Sequence, residues 1–290
     1  MIPMKDSSLS DYSKERNSLT KEQIDELIES GKNLALKADL VSCLINRGSA
    51  IFPHTYITKC GDQIAAVAYA SLVACQKSRK KLLVLGVLHP LTATLKDAKI
   101  KALKNTDLSK NPCKGFFGPG LPHEDLLAKE FSLDNFIFLI TQIAKKEHCK
   151  VPEMIIRYPN LLSGNFNDIE GVEELKGNYV VVATSDLCHH GVAYGMKNSL
   201  PISKEAVHFA YTTIEKGLKL FEKDDIMTIG KYAQDSFSDS VYVSPLLRFI
   251  LGPLEGSICD LKLVDVSDLF EGNPQPSWVA ATLVKLKPKK

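Results

Sequence analysis

The 290-residue chain has no apolar run approaching the roughly 18 residues needed to span a bilayer. Its N-terminal stretch, MIPMKDSSLSDYSKER, is polar where a signal peptide carries its apolar region, so the expected location is the cytoplasm. The seven cysteines are odd in number, scattered, and form no Cys-x-x-Cys pair, which argues against a disulfide framework and for a reducing compartment. A net charge of +2 offers no basic face able to neutralise many phosphates, and the terminal KPKK reads as a solvated tail. Nucleic acid and membrane are therefore not expected partners, and oligomeric state is not legible.

What is present is an ordinary globular composition, 44% hydrophobic and 24% charged, in a chain long enough to bury a sizeable core. TKEQIDELIES predicts a helix with a Thr20/Gln23 capping box and Gly31 just past its end. SAIFP reads as a short strand and DQIAAVAYASLVACQ as a buried helix capped by Asp62. KLLVLGVL and NYVVVATSD have the continuous hydrophobicity of strands covered on both faces, and MIIRY is a shorter one. SLDNFIFLITQIAKKEH predicts a helix capped by Ser132. EAVHFAYTTIEKGLKLFEK predicts another, with Val207, Ala210, Tyr211, Ile214, Leu218 and Phe221 on its apolar stripe and His208 beside it. SPLLRFIL predicts a helix capped by Ser244, while ICDLKLVDV and SWVAATLVKL are late strands. Residues 92–122 form a long irregular excursion with room for an edge hairpin. The expected fold class is α/β: a helical extension over 1–40, then one domain over 41–290 with a central, mostly parallel or mixed sheet and helices on both faces.

Three histidines fall just beyond apolar strands: His54 after SAIFP, His89 after KLLVLGVL and His189 after NYVVVATSDL. Ligands of open α/β sheets bind beyond the carboxyl ends of the strands, so these imidazoles are expected to converge. Any one alone reads as a loop histidine held by a backbone carbonyl; three in equivalent positions point to a site. Neutral imidazole is a common metal ligand, and two histidines with one carboxylate leave open positions on iron(II). Asp186 is placed to orient an imidazole or to join the shell. His190 has no preferred side, His123 and His148 read as surface residues, and Cys188 is either a thiol of the site or a buried core residue.

These residues carry a resemblance. IFPHTYITKCGDQIAAVAYASL resembles the Memo-family Pro-His pair followed by a Tyr-x-x-Cys-Gly turn and a helix. LVLGVLHP is similar to its strand ending in a Gly-Pro-Ser-His loop, VVVATSDLCHHG to its Ser-Ser-Asp-Phe-Cys-His-Trp-Gly motif, and SWVAATLV to its closing strand. The resemblance runs in order from about Ser49 to Val284. It implies the fold of the B-type subunits of class III extradiol dioxygenases, in which two histidines and a carboxylate hold iron(II) and a further histidine is the acid/base. By motif, His54 and His89 would be metal ligands, and His189 the acid/base or a further pocket residue; Asp186 is the candidate to assist it in catalysis.

The sequence departs from the family twice. The family's acid-His-Ser-x-Glu segment reads Glu130-Phe131-Ser132-Leu133-Asp134 here, with phenylalanine for histidine. The late cysteine that gives Memo its third ligand is missing from DSFSDSVYVSP; Tyr242 or Val243 lies nearest, Asp239 or Asp235 would restore a carboxylate, or no third ligand exists. Three functions are open: a Memo-like protein with altered or lost catalysis, binding iron(II) or another divalent metal, or a peptide; an iron(II) extradiol-type dioxygenase acting on a small aromatic molecule; and a zinc hydrolase.

Overall fold

The computed structural model describes residues 2, 4, 5, 8–89, 115–121, 127, 130–160, 171–177, 179–223 and 225–289. The helices are α1 (Ser8–Ser18), α2 (Lys21–Lys37), α3 (Leu40–Ile45), α4 (Ile57–Ser78), α5 (Asp134–Lys146), α6 (Lys204–Leu218), α7 (Ile226–Asp235) and α8 (Val243–Leu251). The strands are β1 (Ser49–Phe52), β2 (Lys81–Leu85), β3 (Gly115–Phe117), β4 (Met154–Asn160), β5 (Tyr179–Thr184), β6 (His189–Gly191), β7 (Leu254–Asp265) and β8 (Ser277–Pro288). They form one sheet in the order β3-β4-β2-β5-β1-β8-β6, with β7 also paired to β8.

The sheet is mixed. β4, β2, β5 and β1 run parallel at its centre, whereas β3 and the three strands β6, β7 and β8 pair antiparallel. Side chains of the central strands alternate between two cores, as the two-residue period requires. Phe52, Leu82, Val84, Val180 and Val182 pack with the alanine-rich α4 and with α5, while Ile51, Leu83, Leu85, Val181 and Ala183 pack with α6 and α8. Burial on both faces explains why β2 and β5 read as continuous apolar runs.

Several local expectations need correction. The α2 capping box forms, with Gln23 N donating to Thr20, but the helix runs past Gly31 to Lys37. Gly31 is a packing residue: a Cβ there would stand 2.5 Å from the Ala65 Cβ of α4. Helix α4 begins before Asp62, and its first amides are capped from α1, where Glu15 accepts from Ile57 N and Thr58 N at 3.1 Å each. Asp62 instead accepts from Lys262. Ser132 donates to Val87 O rather than capping α5, and Ser244 lies inside α8. On α6 the buried stripe is Ala206, Ala210, Ile214 and Leu218, one position removed from Val207 and Tyr211, which are exposed. The excursion over 92–122 lies largely outside the described residues; its visible end is β3, antiparallel to β4.

Candidate metal centre

Strands β2, β5 and β1 are neighbours and parallel, so their carboxyl ends open on one edge of the sheet. His54 follows β1, His89 follows β2, and Ser185 and Asp186 follow β5. The chain beyond β5 then returns as β6, which pairs with Ser277–Val279 of β8 while β1 pairs with Val284–Leu286 of the same strand. That return brings His189 back beside the end of β1.

The carboxylate comes from elsewhere. Asp239 lies in the turn between α7 and α8 and is docked on the β5 loop: its Oδ1 accepts from Ser185 Oγ at 2.6 Å and from Asp186 N at 2.9 Å. Ser238 Oγ donates to Asp186 O beside it. With Oδ1 fixed, Oδ2 faces His54 Nε2 at 3.1 Å and His189 Nε2 at 3.8 Å, with no hydrogen-bond partner among the described residues.

Both first histidines are held by their other nitrogen. The Thr184 hydroxyl donates its proton to Phe52 O at 2.9 Å, so in its 3.1 Å contact with His54 Nδ1 it accepts. His54 therefore carries a proton on Nδ1 and turns Nε2 into the crevice. His89 donates from Nδ1 to Glu130 Oε1 at 3.0 Å, and Glu130 also accepts from the amides of His89, Phe131 and Ser132. Burial opposes the charge on Glu130, but His89 and these amides hold its pKa below the usual range. His89 Nε2 has no hydrogen-bond partner among the described residues. A carboxylate or hydroxyl behind an imidazole is the usual way a metal-ligating histidine is oriented.

One ligand atom each from His54, His89 and Asp239 lie within 4.8 Å of one another, as do those of Asp186, His189 and Asp239. The electrostatics suit a cation. Burial disfavours the His54 imidazolium, yet Asp186 and Asp239 outweigh it and push its pKa up to about 9. Burial would raise Asp239 too, but His54 foremost holds it well below the usual carboxylate range. Asp186 is raised, by burial and by Asp239 at its side against the pull of His54 and His189. His189 is lowered because burial outweighs its acidic neighbours, and its ring stacks on Tyr194 with centroids 4.7 Å apart.

The other sequence candidates sit apart. His190 points to the opposite face of β6, where its Nε2 accepts from Leu200 N and its ring stacks on Trp278. His148 is exposed, and His123 lies outside the described residues. Cys188 is buried in the α6–α8 core and its thiol is pushed up to about 12, so it is neither a low-pKa thiol nor a member of either ligand triplet. The six described cysteines are free, and Cys113 is not among them. Asp235 is exposed at the end of α7, while Val243 is buried in the α6–α8 core and Tyr242 packs against it. Glu130 as the partner of His89 was not anticipated. Nor was Phe131, which stacks between His89 at 4.6 Å and Tyr12 at 4.9 Å. Helix α7, which carries the chain to Asp239, was also missed, although Asp225 caps it through Thr228 N.

No helix among the described residues is long and apolar enough to cross a membrane. No protein-family model matches the chain, and comparison with curated proteins returns no match.

Proposed function

We propose that this chain is a Memo-like protein of the class III extradiol dioxygenase type whose crevice binds a divalent metal ion through His54, His89 and Asp239, with altered or lost ring-cleaving catalysis. The observation that carries this reading is the convergence of one ligand atom each from His54, His89 and Asp239 within 4.8 Å, with Asp239 Oδ2 meeting His54 Nε2 at 3.1 Å while Asp239 Oδ1 and the Nδ1 atoms of both imidazoles are held from behind. Two neutral imidazoles and one carboxylate are the donor set of non-haem iron(II) sites. Such an ion supplies Lewis acidity and open positions for substrate and dioxygen. The protein contributes the rest: Thr184 and Glu130 fix the two rings, and the Phe131 ring packs against both imidazoles. Phe131, standing where the family has a histidine, removes one proton-transfer group and favours the altered-catalysis reading.

The second reading, an active extradiol-type dioxygenase on a small aromatic substrate, is favoured by His189. It is kept neutral by burial and faces Asp239 Oδ2, so its imidazole is able to take a proton from a bound hydroxyl. Elemental analysis of protein purified without chelators, followed by anaerobic iron(II) titration and aerobic assay against catechols, tests both. Stoichiometric metal without turnover supports the first reading, catechol cleavage supports the second, and no metal binding contradicts both.

A further inference from the structure

The first ligand set uses neither Asp186 nor His189, yet both lie at the same crevice. Asp186, His189 and Asp239 each offer a ligand atom, and these lie within 4.8 Å of one another. The two triplets share Asp239, whose Oδ2 stands 3.1 Å from His54 Nε2 and 3.8 Å from His189 Nε2. An independent feature marks the second triplet. Asp186 is only 3% exposed, and its Oδ1 has no hydrogen-bond partner among the described residues. A buried carboxylate oxygen left unpaired is costly, and such a group calls for a proton, a water or an ion.

We propose that the crevice is a two-metal site, in which Asp239 Oδ2 bridges a first divalent ion on His54 and His89 and a second on Asp186 and His189. This rests on the mononuclear reading above and extends it. The alternative use of Asp186, as an extra ligand to a single ion on His54 and His89, leaves His189 unused. Asp186 Oδ2 also lies 3.8 Å from His54 Nε2, but Asp186 and His189 are assigned to their own ion because they form one ligand triplet with Asp239 that includes neither His54 nor His89. Mixed imidazole and carboxylate donors select manganese, iron, cobalt or zinc over calcium and magnesium. Two divalent ions bring four positive charges against the three carboxylates Asp186, Asp239 and Glu130, so the open positions should favour hydroxide or an anionic oxygen ligand.

The test is anaerobic titration of the full chain with manganese(II), followed by electron paramagnetic resonance, with circular dichroism to confirm that each variant folds. The wild type should take up two ions per chain and show an exchange-coupled pair. Asp186→Asn and His189→Ala should each fall to one uncoupled ion, with affinity for the second weakened at least about tenfold. His89→Ala should lose the first ion in the same way. A single ion in the wild type, abolished by His89→Ala and unaffected by His189→Ala, overturns the pairing while leaving the mononuclear reading intact. A single ion weakened by Asp186→Asn but not by His189→Ala likewise overturns it. No uptake at all overturns both.

Discussion

His54 and Asp239 face each other across 3.1 Å, and each is locked from behind: His54 by Thr184, Asp239 by Ser185 and the Asp186 amide. In metal-free protein this is a buried ion pair; with a metal, the same two atoms become ligands once the proton on Nε2 leaves.

The His54 imidazolium should make metal-free stability fall in alkali. Its folded pKa is raised to about 9 from an ordinary 6.5, so its contribution is fully present below 6.5 and is lost as pH rises through 9. Asp239, whose folded pKa is lowered from 3.8, contributes above that value and loses its contribution as pH falls below it. Thermal melts of chelator-treated protein should show the highest Tm between these limits, and His54→Gln should flatten the alkaline limb.

Metal affinity should run the other way. Because an ion must displace the Nε2 proton, binding should strengthen by up to about tenfold per pH unit below pH 9 and level off above it. Competition titrations with a chelator of known affinity at several pH values measure the slope, and pH-independent binding would exclude His54 as a ligand.

Removing the groups behind the imidazoles should weaken metal binding without touching a ligand. Thr184→Val frees His54 Nδ1, and Glu130→Gln disturbs an acceptor that serves His89 twice and two further amides. Each should lower affinity by about 10–100-fold. Glu130→Gln should also cost roughly 1–3 kcal/mol of stability, since buried amides lose part of their partner. Calorimetric titration and denaturant unfolding separate the two effects.

Gly191→Ala should damage the site through the backbone. Gly191 has φ of 122°, and a Cβ there would stand 2.1 Å from Pro276 O across the β6–β8 pair. The variant should be destabilised by more than about 1 kcal/mol and should lose the His189-dependent part of metal binding. A variant with unchanged melting and unchanged metal binding would mean that β6 does not set the position of His189.

Much of the sheet was legible because β2 and β5 are buried on both faces, which leaves unbroken apolar runs, and because His54 and His89 lie within a few residues of the ends of β1 and β2. The antiparallel character of β7 and β8 was not, since strand direction is set by the connection and leaves no mark on apolar pattern. Cap positions misled where the cap comes from far along the chain, as with Glu15 on α4. For the site, periodicity is silent on Asp239: it lies in a turn, and only the docking of Ser238 and Asp239 on the β5 loop selects it over Asp235. Glu130 and Phe131 were visible as a departure from a family pattern, but their roles, one holding His89 and the other stacked on it, depend on packing across distant segments.

The most direct test is anomalous diffraction from crystals of iron(II)-loaded protein, grown anaerobically and measured at the iron edge. A peak is expected within bonding distance of His54 Nε2, His89 Nε2 and Asp239 Oδ2 together, absent from Asp239→Ala crystals. A peak bound elsewhere, or none in protein carrying stoichiometric iron in solution, would contradict it.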